Sequence, residues 1–183
     1  MSAHASERSA GRRQRADKGN GRTRSTLVGG CCTSTVITAE RSTPVARCAQ
    51  LMHDAHVGSL VVVEAFDGRQ VPVGMITDRD IAIEVVAFGV DAHAITAGDI
   101  MGPDLAVVRE DEDLLAAMAT MREHGVRRLP VLGRDGELRG VVSADDLWQV
   151  LAEEIDGLAR VIRASRAREG RTRTAEALPQ ASV

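Results

Sequence analysis

The sequence predicts an α/β chain of two tandem units, each running β-α-β-β-α, with disordered ends. Three observations predict it. First, Val73-Gly74-Met75-Ile76-Thr77-Asp78-Arg79-Asp80 occurs again as Arg139-Gly140-Val141-Val142-Ser143-Ala144-Asp145-Asp146, so that Gly74 and Gly140, Thr77 and Ser143, and Asp80 and Asp146 are each 66 positions apart. Second, the earlier part of each unit repeats at an offset of 69, with Val45 falling on Leu114, Met52 on Met121, Val57 on Val126 and Leu60 on Leu129. The offset changes only at a turn, three residues longer after Val63 than after Leu132, as homologous units would allow. Third, hydrophobic residues make up 44% and charged residues 27%, a globular balance, while aromatics at 2% leave the core to Val, Leu, Ile, Ala and Met.

The elements follow in order. Residues 1–26 are rich in Ser, Arg, Gly and Ala without periodicity, so the segment to residue 27 reads as a disordered basic tail. Val36-Ile37-Thr38 is a short β-branched strand. Ser42-Thr43-Pro44 starts a helix, since Pro costs nothing where the N–H has no partner. Val45, Cys48, Ala49 and Met52 then form its buried stripe to about Ala55. Ser59 to Val63 is a strand apolar enough to be covered on both faces. Phe66-Asp67-Gly68-Arg69 turns the chain into a strand from Val71 to Ile76. Thr77 starts a helix carrying Ile81, Ile83, Val85 and Val86, stopped by Gly89.

The second unit repeats the plan. Asp99-Ile100-Met101-Gly102-Pro103 leads into Leu105-Ala106-Val107-Val108. Asp111 starts a helix with Leu114, Leu115, Met118 and Met121 inward. Arg128 to Leu132 and Leu138 to Val142 are strands about a Gly133–Gly136 turn, and Ser143 starts a helix with Leu147, Trp148 and Leu151. The units are expected at 28–92 and 93–156, with a helical extension and basic tail at 157–183. The apolar positions of that extension, Ile155, Leu158, Val161 and Ile162, are expected to pack back on the core, with a partner or dimer contact as the alternative.

A formal charge of −3 conceals an asymmetry. Residues 1–30 hold seven Arg/Lys and two acids, residues 157–183 hold six Arg and two acids, and the remaining middle is left at −12. The tails read as solvated, a nucleic-acid or acidic-partner role being the alternative. With aromatics at only 2%, a stacking platform for single-stranded nucleic acid is not expected. Cys31, Cys32 and Cys48 are odd in number and imply no disulfide framework. They read as packing residues, Cys31 and Cys32 falling on Ile100 and Met101; a metal site there would need ligands that His53 and His56 do not supply at any recognised spacing. No apolar signal segment precedes the domain. The apolar run Val57–Val63 is too short to cross a bilayer. A reducing, cytoplasmic setting is the expectation.

Thr77-x-x-Asp80 and Ser143-x-x-Asp146 admit two readings. As capping boxes, each hydroxyl takes a backbone N–H and each acid returns the contact, with no ligand needed. As a binding motif, the helix start offers N–H groups and partial positive charge to a phosphate. Thr77 then donates its hydroxyl, Arg79 adds a planar charge-assisted contact, and Asp80 accepts ribose hydroxyls. The strands Val36–Thr38 and Ser59–Val63 would hold a purine between aliphatic side chains.

Taken together, Asp99-Ile100-Met101, the run from Met121 to Val131, Gly140 to Leu147, His56 to Val63 and Gly74 to Ile81 resemble tandem CBS domains, a Bateman module, over roughly residues 28–155. The resemblance implies two units packed sheet to sheet about a pseudo-two-fold axis, leaving two clefts for a regulatory adenosine ligand such as AMP, ADP, ATP or S-adenosylmethionine. It implies phosphate contacts from Thr77 and Ser143 and ribose contacts from Asp80 and Asp146. Backbone near Val36, Ile37, Thr38, Leu60, Val107, Leu129 and Pro130 matches the segments that hold adenine. A flat homodimer, an unknown protein target and no catalysis are the further implications, with no cofactor required; nucleic acid and membrane are not expected partners.

The units are unequal. Arg79 falls on Asp145, which sets an acid where the first cleft has a cation. Arg127 and Arg128 would compensate in the second unit, where Gly58 and Ser59 stand in the first. The first cleft is therefore expected to bind better. An interaction module that binds no nucleotide remains the competing reading; no nucleophile–base pair, P-loop or metal triad supports an enzyme.

Overall fold

The computed structural model describes residues 27–176. The expected N-terminal tail therefore lies, apart from Leu27, outside the described residues. Among the described residues, six strands form two separate three-stranded sheets. In the first, β1 (Thr38–Glu40) runs parallel to β2 (Ser59–Phe66), which pairs antiparallel with β3 (Arg69–Thr77). In the second, β4 (Val108–Arg109), β5 (Arg128–Leu132) and β6 (Leu138–Ser143) repeat that order and those directions. Helices α1 (Val45–Ala55) and α4 (Leu114–His124) make the parallel crossovers. A short α2 (Asp78–Ile81) runs on as a π-helical turn (Ala82–Val86), α3 (Ala97–Ile100) opens the second half, and α5 (Ala144–Glu176) is one long helix.

Local chemistry explains the element ends. Asp67 and Gly68 carry φ of 50° and 75°, the paired positive values that a two-residue hairpin turn needs. That tight turn lets β2 run to Phe66 rather than stop at Val63. The first helix begins at Val45, and Thr43 serves the preceding turn by accepting from Glu40 N–H at 2.9 Å. Asp113, not Asp111, caps α4, its carboxylate accepting from Ala116 N–H at 2.8 Å. Ala49, Leu115, Met118 and Val86 are exposed rather than part of the core.

The repeat is visible in the hydrogen bonding itself. The ladder register slips between Val62 and Val63 in one sheet and between Val131 and Leu132 in the other, positions equivalent by the 69 offset. Opposite the slips lie Gly74 and Gly140, where the chain before the other half's first strand crosses closely. A Cβ on Gly74 would meet the Met101 thioether; one on Gly140 would lie 2.8 Å from both the Cys32 sulfur and the Thr33 carbonyl oxygen.

That crossing exchanges segments between the halves. Val28 N–H donates to Glu112 C=O and Ala97 N–H to Thr43 C=O, each at 2.8 Å. Gly29 N–H donates to Glu110 C=O and Gly98 N–H to Arg41 C=O, each at 2.9 Å. Both pairs are related by 69 residues. The second core accordingly gathers Val28, with Cys31 and Cys32 against it, around Val108, Leu129, Val142 and Leu147. The first gathers Ala97, with Ile100 and Met101 against it, around Cys48, Leu60, Val62 and Ile76. The cysteine pair thus packs as small apolar residues, where Ile100 and Met101 do in the mirror position.

The C-terminal helix departs from expectation. It does not fold back: Ile155, Leu158, Val161 and Ile162 are 66%, 62%, 65% and 48% exposed, and α5 extends well beyond the core that Leu147 and Val150 anchor. No helix among the described residues is long and apolar enough to cross a membrane.

Candidate functional site

Two clefts lie where the halves meet, and each draws on both. The Thr77 cleft, about 350 Å³, is lined by Thr77 to Asp80, the approach to β4 from Gly102 to Ala106, and the start of β5 at Gly125 to Arg128. The Ser143 cleft, about 300 Å³, is lined by Ser143 and Asp146, the approach to β1 from Thr33 to Ile37, and the start of β2 at His56 to Ser59. The linings correspond residue by residue under the two offsets, Val36 with Leu105, Ile37 with Ala106, Val57 with Val126 and Val141 with Met75. A larger cavity of about 640 Å³ lies by Thr38–Thr43 and Glu64, spanned by a 2.6 Å Arg41–Glu64 ion pair. It contains neither hydroxyl–acid motif, so its size does not make it the site.

The capping box is formed in both clefts. Thr77 N–H and Thr77 Oγ1–H donate to Asp80 Oδ2 at 2.8 and 2.7 Å, and Asp80 N–H donates to Thr77 Oγ1 at 3.2 Å. Ser143 and Asp146 repeat these contacts at 2.8, 2.6 and 3.2 Å. The box spends one oxygen of each acid, and among the described residues no hydrogen bond reaches either Oδ1. A third box, Thr96 with Asp99, has the same form away from both clefts. There the Thr96 backbone N–H, and then its hydroxyl, hold the Asp99 carboxyl below the ordinary carboxylate range. The box alone is therefore a folding device; the cleft around it distinguishes the other two.

The expectation of free N–H groups at the first helix start is not met. Asp78 N–H donates to Gly58 C=O at 3.1 Å, Arg79 N–H to Asp78 Oδ1 at 2.8 Å, and Asp80 N–H to the Thr77 hydroxyl. A phosphate here must be met by side chains. Three arginines, Arg79, Arg127 and Arg128, line the Thr77 cleft, together with Asp78 and Asp104. Reading the units as contiguous in sequence assigns Arg127 and Arg128 to the Ser143 cleft. The exchange of segments instead carries Arg127 across to the Thr77 motif and leaves Gly58 and Ser59 beside Ser143. Arg128 borders both clefts. Asp145 is exposed and does not line the Ser143 cleft.

Of the other expected residues, Val36, Ile37 and Ser59 reach a cleft, but the Ser143 cleft rather than the one holding Thr77 and Asp80. Thr38 faces the larger outer cavity. Leu60, Leu129 and Pro130 are buried in the sheets. Val107 is half-buried and lines no cleft described above. Sequence reasoning missed His56, Thr35, Asp104 and Leu105. The repeat offsets signal the last three, since each sits just before a first strand. His56 occupies the left-handed region at φ 54°, where its counterpart Gly125 sits at 65°. Burial pushes the Cys32 and Cys48 thiols above the ordinary thiol range.

The description "CBS domain" matches residues 28–87 and 97–147. A protein of Methanopyrus kandleri is 35% identical over 127 residues, 69% of this chain; the match spans 63% of that protein, a little under two thirds. Hypoxic response protein 1 of Mycobacterium tuberculosis is 33% identical over 105 residues, 57% of this chain and 71% of that protein. The crystal structure of Hypoxic Response Protein I, with two coordinated zinc ions, superposes with a TM-score of 0.59 at 28% identity, covering 67% of this chain and 97% of that one. A CBS domain pair solved with 5′-methylthioadenosine and S-adenosyl-L-methionine has a TM-score of 0.61 at 22% identity, covering 70% and 97%, which shows a shared fold. With its paired sheets, exchanged segments and twin clefts, this chain belongs to the CBS-domain family as a tandem pair.

Proposed function

We propose that the chain senses an adenosine compound, AMP, ADP, ATP or S-adenosylmethionine, and signals by a change of shape to a protein target without catalysing a reaction. The module acts as a homodimer in the cytoplasm. The observation that carries this is the Thr77 cleft, where Arg79, Arg127 and Arg128 gather beside a hydroxyl–acid pair and an aliphatic wall of Met75, Leu105 and Val126. The carboxylate Oδ1 of Asp80 is the acceptor for ribose hydroxyls. Thr77 Oγ1 turns from the cap to a phosphate oxygen, and the guanidiniums complete its neutralisation. Aliphatic side chains of the approach strand cover the purine faces. The Ser143 cleft is the weaker site, with Arg128 alone to meet phosphate. That a CBS pair of this fold holds adenosine compounds supports the ligand class.

Calorimetry with the four ligands tests this. Asp80→Ala should lower affinity more than Asp146→Ala. A ligand at a hundred times its dissociation constant should stabilise the fold by about 2.7 kcal/mol. One observation favours a second reading, an interaction module that binds no nucleotide: both boxes are closed, like the Thr96 box. No thermal shift with any of the four ligands would establish that reading instead.

A further inference from the structure

Beyond Leu151, helix α5 leaves the core, and from Ala152 to Glu169 its side chains are exposed save a half-buried Ala159. Its apolar residues keep a strict spacing there. Trp148, Leu151, Ile155, Leu158 and Ile162 alternate steps of three and four, the a and d positions of a coiled coil. Trp148, Ile155 and Leu158 are 72%, 66% and 62% exposed, and the stripe continues from an apolar groove formed by Met118, Met121, Val126 and Leu147. A solitary helix projecting into water is marginal, and such a stripe asks for a second helix.

Charge decides which helix. From Ala144 to Asp156 the helix holds five acids, Asp145, Asp146, Glu153, Glu154 and Asp156, and no cation. From Arg160 to Arg168 it holds four arginines and no acid. A parallel partner of the same sequence would set arginine against arginine. An antiparallel copy sets the acidic half of each helix against the basic half of the other. The helix dipole alone does not account for the pattern, because its influence fades within the first and last turns and these charges run through the middle. Asp156 lies 2.9 Å from Arg160 and 3.7 Å from Arg163, and Glu153 Oε1 accepts from Gln149 Nε2 at 3.4 Å, so the pairing draws on the two halves of the helix as charged blocks and not on any single acid.

We infer that α5 pairs antiparallel with α5 of a second copy of this chain. Layers of Ile155 on Leu158 and Leu151 on Ile162 then bring Ala152 opposite Ala159, two small flanking residues that let the helix axes approach. Because Asp146 sits in the first turn of α5, the same rigid helix joins the Ser143 cleft to the pairing seam. The pairing does not depend on nucleotide binding.

The test is Ala152→Cys/Ala159→Cys in the full chain, oxidised mildly and mapped by peptide mass spectrometry. A disulfide from 152 of one copy to 159 of the other is expected as the main product, distinguishable by peptide from links to Cys31 or Cys32. Seven residues apart on one helix, the two positions cannot link within a chain. Links only between like positions, links only to the native cysteines, or a monomer without links would overturn the inference, as would a dimer held by the module body alone. A second variant checks the charge argument. Glu153→Arg/Glu154→Arg should weaken the dimer about tenfold or more in sedimentation, since like charges then face each other. Adding Arg160→Glu/Arg163→Glu, the arginines this register sets nearest to 153 and 154 of the partner helix, should restore it; no weakening, or weakening without rescue, would count against antiparallel pairing.

Discussion

The Thr77 and Ser143 clefts have one backbone plan and two chemistries. Their hydroxyl–acid boxes agree to within 0.1 Å, at 2.7 and 2.6 Å for the hydroxyl contact and 2.8 Å for both backbone contacts. Their linings differ where it matters for an anion: Arg79, Arg127 and Asp104 in one stand against Gly58 and Thr35 in the other. Duplication supplied a symmetric frame, and single-residue differences made the clefts unequal. The difference teaches that motif geometry reports folding, while the charge of each cleft is set by the other residues that line it.

The largest expected effect probes the shared frame. Leu60 and Leu129 occupy equivalent positions and are 1% and 0% exposed. Changing either to Ala should cost about 2–5 kcal/mol of unfolding free energy by urea titration. Costs differing by more than about 2 kcal/mol would show that the two cores are not equivalent in energy. Next come the crossing glycines. Gly140→Ala should destabilise by about 1–3 kcal/mol, because the new methyl meets the Thr33 backbone carbonyl, which cannot swing aside. Gly74→Ala should cost less, since the flexible Met101 side chain can give. The reverse order would break the account of the crossing.

The clefts' chemistry is probed by Arg79→Asp, which removes a cation from the lining of the Thr77 cleft and puts an acid in its place. Affinity for ATP should fall about tenfold or more, while affinity for adenosine holds; parallel losses for both would mean that Arg79 does not meet phosphate. The smallest effect is one of pH. Asp99 is held below its ordinary range by Thr96, so its stabilising contribution is complete above the unfolded carboxyl value and is lost as pH falls through the folded one. Asp99→Asn should therefore flatten the acid limb of the stability curve, and an unchanged limb would refute the Thr96 contact.

Much of the fold was legible in the chain. Two offsets, 66 and 69, exposed the repeat, and β5 at Arg128–Leu132 follows from an uninterrupted apolar run. The strand read at Val36–Thr38 lies two residues later, at Thr38–Glu40, because pairing with Val61 to Val63 sets where the ladder begins. The site was half legible. Thr77, Asp80, Ser143 and Asp146 were identifiable from spacing, since a helix start imposes it. Which strand segment faces which motif was not, because the exchange of Val28 and Ala97 between cores is a matter of chain path.

The sequence by itself determined the duplication, the aliphatic cores, the capped helix starts and the charge polarity of α5, because each depends on residues close in the chain or repeated along it. Only the tertiary structure decided that Arg127 serves the Thr77 motif, that Val36 and Ile37 face Ser143, and that Ile155 and Leu158 stand in solvent. Those outcomes depend on which half receives each crossing segment and on where the core ends beneath a helix. Backbone hydrogen bonds such as Val28 to Glu112 settle the first, and no local pattern of side chains encodes them.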